Sequence, residues 1–121
     1  MINILVVDDH ALIRKGLKML LEEGPDFHIA GEAETGQQAI NMAREQHFDL
    51  ILLDISLSDK HGIDVLKQLK SEQPDVKIIV LSMYPEEQYG VRALKAGAMG
   101  YINKQSAPEI LVEPLARSSR R

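Results

Sequence analysis

The sequence predicts one α/β domain, an open sheet of parallel strands with helices packed on both faces. Three observations predict it. Short apolar segments alternate with segments of helical periodicity five times, the pattern of a sheet built from βα units with right-handed crossovers. The strand segments, such as "IIVL" at 78–81, are near-continuous aliphatic runs, as in strands covered on both sides. Polar residues with chemical potential gather where those runs end, at Asp8, Asp9, Asp54, Ser82 and Lys104.

Asn3–Val7 reads as the first strand, closed by Asp8, Asp9 and His10. Ala11–Glu23 follows as a helix with an apolar stripe of Leu12, Ile13, Leu17, Leu20 and Leu21, stopped by Gly24 and Pro25. Phe27–Ala33 is the second strand. Thr35 then caps a helix whose inner face is Ala39, Ile40 and Ala43. Leu50–Leu53 is the third strand, ending in Asp54. The next helix, "GIDVLKQLKSEQ", turns Ile63, Leu66 and Leu69 inward and is closed by Pro74. Val76–Leu81 is the fourth strand. Its following helix has Pro85 near the first turn and Gly97 at the end. Gly100–Asn103 is a short fifth strand, and Ser106 with Glu109 matches a capping box opening a last helix.

A chain of 121 residues is long enough for one hydrophobic core. It has no cysteine, which excludes disulfides, zinc-thiolate sites and thiol catalysis. No apolar stretch approaches the ~18 residues of a membrane span, and "MINILVVDDH" lacks the basic start of a signal peptide. A cytoplasmic location is expected. The net charge is −4, yet three of the fourteen basic residues, Arg117, Arg120 and Arg121, fall in the last five positions. Residues 1–116 hold eleven basic and eighteen acidic side chains, a net of −7, and such a body repels nucleic acid.

Two adjacent carboxylates after a buried strand need a reason. In an open α/β sheet, ligands bind beyond the carboxyl ends of the strands, where strand order reverses. If the first and third strands are neighbours, Asp8, Asp9 and Asp54 converge there. Three carboxylates repel one another unless a cation sits among them. An all-oxygen donor set favours Mg²⁺ or a similar hard cation. Ser82 and Lys104, at two further strand ends, add a hydroxyl and an ammonium. Together these groups suit a phosphoryl site with Asp54 as nucleophile, forming an acyl phosphate. The plainer alternative is that Asp8 and Asp9 only complement the dipole of the helix they precede.

In order and spacing, "LVVDDH", "DLILLDISL", "IIVLS" and "KAGAMGYINK" resemble the receiver domain of two-component response regulators, to about residue 112. The resemblance implies a flavodoxin-like fold with strand order 2-1-3-4-5. It implies that Asp54 accepts phosphate from a sensor histidine kinase or a small phosphodonor. It implies Mg²⁺ held by Asp9, Asp54 and the backbone carbonyl of Ser56, with Asp8 acting through water. It also implies that Ser82 and Lys104 contact the phosphoryl group, and that Tyr101 is an aromatic switch turning inward as Ser82 moves. The "DDH" form followed by "ALIRKGLKMLL" resembles the NarL/FixJ subfamily, whose members usually carry a C-terminal helix-turn-helix that binds DNA. A phosphorylation-dependent homodimer is expected.

The sequence departs from that pattern in three places. Leu57-Ser58 replaces the usual Met-Pro after the acceptor, so the loop over the site is expected to be more mobile. Gln105 replaces the usual Pro after the lysine, which argues against a cis peptide there. Pro114 inside the last helical pattern would cost roughly 3 kcal/mol, so regular helix is expected to stop near Glu113. The receiver unit is therefore assigned to residues 1–113 and an irregular basic tail to 114–121, with no effector domain; a shortened or altered C-terminus accounts for this better than a natural single-domain protein. His10, His28, His47 and His61 read as scattered, unpaired surface or loop residues. Two other functions compete with the switch. An Mg²⁺-dependent phosphatase with an aspartyl nucleophile would need an acid two residues later, where Ser56 stands. An interaction module that is never phosphorylated would not need the acids, the serine and the lysine in register.

Overall fold

The computed structural model describes residues 1–55, 57, 59, 61–82 and 86–103, with the side chains of 86–90 and 103 excepted. Among the described residues nine elements follow in strict alternation: β1 (Ile2–Val7), α1 (Ala11–Leu21), β2 (Phe27–Ala33), α2 (Gly36–Glu45), β3 (Leu50–Asp54), α3 (Gly62–Glu72), β4 (Lys77–Ser82), α4 (Glu86–Lys95) and β5 (Gly100–Asn103). The five strands form one sheet in the order β2-β1-β3-β4-β5, and every neighbouring pair is parallel. This is the expected doubly wound, flavodoxin-like arrangement. The expected last helix, Pro114 and the tail lie outside the described residues.

Alternate residues of each strand feed two cores. Leu5, Val7, Ile51, Leu53, Ile78 and Val80 face α2 and α3, meeting Ala39, Ile40, Ala43, Ile63, Leu66 and Leu69. Ile4, Val6, Leu50, Leu52, Ile79 and Leu81 belong to the other face, where α1 contributes Leu17 and Leu21. Both faces of the central strands are thus dry, which is why their sequences do not alternate.

One inward stripe needs correction. Leu12 is 81% exposed, whereas Arg14 is buried beside Leu17 and Leu21. The spacing 14, 17 and 21 faces the sheet, and Leu12 lies well round the helix from it.

The helix ends follow local chemistry. The Thr35 hydroxyl accepts from the Gln38 amide and caps α2. Gly97 takes φ of +109°, and Ala98 N–H donates to the Ala93 carbonyl while Gly97 N–H donates to that of Leu94. That is a Schellman ending, closed by the buried pair Ala93 and Ala98. Behind α1, the Glu22 carboxylate accepts from the Ile29 amide at 3.0 Å and fastens the helix to β2. The Ile29 amide, ahead of His28 and Lys18, holds the Glu22 carboxyl below its ordinary value.

Candidate functional site

β1 and β3 lie side by side, with Val7 opposite Leu53. One step further along each strand stand Asp8 and Asp54, so the register itself delivers two carboxylates to the same edge. Both side chains are fully buried, while Asp9 is exposed. Asp8, Asp9, His10 and Asp54 each offer a ligating atom, and these atoms lie within 4.8 Å of one another. Three carboxylates at that separation suit a small hard cation that would offset their repulsion.

β4 lies on the other side of β3, with Asp54 opposite Leu81. Ser82 therefore comes next to the acid edge, and it is fully buried. The strand extends one residue beyond its expected end, so Ser82 is the last residue of β4 rather than the first after it. β5 pairs Asn103 with Ser82 and Tyr101 with Val80. Tyr101 is half-buried against the core that α2 and α3 share. Lys104, Ser56 and Ser58 lie outside the described residues.

Sequence reasoning missed two participants. His10 is 61% exposed, as a surface residue should be, but it is not unpaired: its Nδ1 lies 2.8 Å from Asp8 Oδ1 and 2.9 Å from Asp9 Oδ1. The other histidines are paired as well. His28 meets Glu22 at 3.0 Å, His47 meets Asp49 at 3.3 Å, and His61 Nδ1 accepts from the Ile63 amide to cap α3. Each partner is one or two residues away or across a short turn, so spacing along the chain disguises it. The second participant is Arg14, whose Nη1 donates to the Asp8 backbone carbonyl and whose Nε and Nη2 reach Glu32 and Glu34 at 3.3 and 3.4 Å. Arg14 shares the i, i+3, i+7 spacing of Leu17 and Leu21, but its charge kept it out of the apolar stripe.

The expected looseness at Leu57-Ser58 falls partly on Ser58, outside the described residues, while the described neighbours have fixed partners. Gly62 N–H donates to the Ile55 carbonyl at 2.8 Å, and Ile55 N–H donates to the Leu81 carbonyl. Leu57 is buried in the core. Gly62 is required here. A Cβ at that position would overlap Ile55 Cα and lie 2.8 Å from the Asp54 carbonyl oxygen.

Comparison with known proteins agrees with this geometry. The family described as "Response regulator receiver domain" matches residues 4–116. The transcriptional regulatory protein DegU of Brevibacillus brevis is 36% identical over 112 residues, covering 93% of this chain and 48% of that protein. The nitrate/nitrite response regulator protein NarL of Escherichia coli strain K12 is 38% identical over 117 residues, covering 97% of this chain and 54% of that protein. The chain thus spans about half the length of the curated relatives it matches. Among solved structures, a LuxR-family two-component response regulator from Aurantimonas sp. SI85-9A1 superposes with a TM-score of 0.92 at 28% identity, covering 99% of this chain and 86% of that one. The acid edge, the strand order and these likenesses converge on one statement: the chain belongs to the response regulator receiver domain family, in its NarL/FixJ branch.

Proposed function

We propose that Asp54 is the phosphoacceptor of a cation-dependent signalling switch, carried by the unit at residues 1–113. The observation that carries this is the meeting of buried Asp54 with Asp8 and Asp9 at the carboxyl edge of adjacent strands. Asp9, Asp54 and the Ser56 carbonyl would hold Mg²⁺, with Asp8 acting through water. When bound, the ion neutralises charge on the phosphoryl oxygens. An Asp54 carboxylate oxygen attacks the phosphorus of a histidine kinase phosphohistidine or a small acyl phosphate. The new O–P bond forms as the bond to the imidazole nitrogen or carboxylate oxygen breaks, and the leaving group keeps the electron pair. The Ser82 hydroxyl donates to a phosphoryl oxygen and the Lys104 ammonium balances charge on the others.

Movement of Ser82 toward the phosphoryl group frees room for Tyr101 to turn inward, and this biases the α4–β5 surface between two arrangements. A homodimer, and through a C-terminal helix-turn-helix in the parent protein a DNA site, would read that change. The domain itself is a cytoplasmic regulator rather than a turnover enzyme. Ser56, at the place of the general acid that aspartyl-nucleophile phosphatases use, supports this over the phosphatase alternative.

The test is incubation with Mg²⁺ and either acetyl phosphate or beryllofluoride, followed by intact-mass and NMR analysis. A one-to-one adduct is expected for the wild type and none for Asp54→Asn. Steady phosphate release from simple monoesters would instead identify a phosphatase, and no response at all an interaction module.

A further inference from the structure

The α2 helix has no acidic residue in its own first turn, yet a carboxylate sits at its N-terminus. It comes from Asp59, in the loop between β3 and α3. Asp59 Oδ1 accepts from the Gly36 amide at 2.8 Å, and Oδ2 accepts from the Gln37 amide at 3.1 Å. With Thr35 Oγ1 on the Gln38 amide at 3.1 Å, three successive N–H groups of the helix start are satisfied. Two of the three depend on a side chain more than twenty residues away. A carboxylate at this end of a helix also gains from the helix dipole.

The same loop begins at Asp54. Its first residues are fixed by Ile55, its end by Gly62, and Leu57 is anchored in the core. Between Leu57 and Gly62, Asp59 supplies an attachment to the start of a helix. We infer that Asp59 is a positioning residue: its two-oxygen grip on the start of α2 holds the loop after Asp54 in the shape the cation site requires, in place of the stiffness a Met-Pro pair would give. This rests on the proposed cation-dependent site at Asp8, Asp9 and Asp54. It adds that α2, which contributes no ligand, sets how well that site binds.

Asp59 is exposed, so its variants keep the core intact. Isothermal titration of the full 121-residue chain with Mg²⁺ suits a protein without tryptophan. Asp59→Ala is expected to weaken Mg²⁺ binding about tenfold, as loss of an outer partner of a metal site does. Asp59→Asn, which keeps one accepting oxygen but turns an amide N–H₂ toward the second backbone N–H, should fall between. The decisive control is Thr35→Ala. It removes a cap from the same helix, lowers the melting temperature comparably, and leaves Mg²⁺ affinity unchanged because it does not touch the loop. Equal affinity in Asp59→Ala and the wild type would overturn the inference. So would equal weakening in Thr35→Ala, which would make the effect one of helix stability alone. A wild-type chain that binds neither Mg²⁺ nor beryllofluoride would refute the underlying site, a result distinct from either of these.

Discussion

Arg14 is a cation inside the fold, and its three contacts explain why it is tolerated. Its guanidinium donates to the Asp8 backbone carbonyl and faces Glu32, near the end of β2, and Glu34 just beyond it. A planar fork spreads its donors over three nitrogens and reaches all three, whereas an ammonium concentrates its donors on one nitrogen. Arg14→Met would keep most of the packed stem but take one donor from the carbonyl of an acid-edge residue. A loss of roughly 1–3 kcal/mol is expected, read as a lower urea midpoint with an unchanged slope. Asp8, Asp9, Asp54 and Ser82 were legible because each ends an apolar run. Arg14 and His10 were not, since a charged residue on a helix and a histidine at a strand end ordinarily mean solvent.

Gly62 shows how closely an element must approach to build this edge. The first residue of α3 touches the Asp54–Ile55 backbone, so any side chain there displaces either the helix or the acceptor. Gly62→Ala is expected to cost about 1–3 kcal/mol through overpacking and to weaken Mg²⁺ binding at the same time, measurable by thermal melting and titration of one sample. Helix ends written in nearby residues were legible, as with Thr35 before α2 and Gly97 after α4. Asp59, which caps α2 from another element, was not, because its proximity exists only once β3 and α3 have brought the loop round. Sequence shows the missing Pro but not the buried leucine or the remote carboxylate.

At the scale of the molecule, α2 and α3 are joined across their outer surface by a two-pronged ion pair. Arg44 Nε and Nη2 meet the Glu72 carboxylate at 2.7 and 2.8 Å. The Arg44 guanidinium first, and then the Gln68 amide, hold the Glu72 carboxyl down from 4.5 to about 2. Unfolding releases it to the ordinary value, so the unfolded chain binds this proton more readily. The pair's contribution is therefore present above about pH 4.5 and fades as pH falls toward 2. Solvent screens it, so the effect is small. The melting temperature of Glu72→Gln should lie below that of the wild type at neutral pH and converge with it in acid. Strand order and both cores were legible from uninterrupted aliphatic runs and motif order, whereas such links between helices depend on side-chain reach that periodicity does not encode. The placement of β1 between β2 and β3 has one more consequence. During synthesis the first two acids emerge early, but the third follows only after forty-odd further residues, alongside the strand that brings it next to them. A nascent chain on the ribosome therefore cannot assemble the trio prematurely, and ion capture would report that the centre of the sheet has been completed.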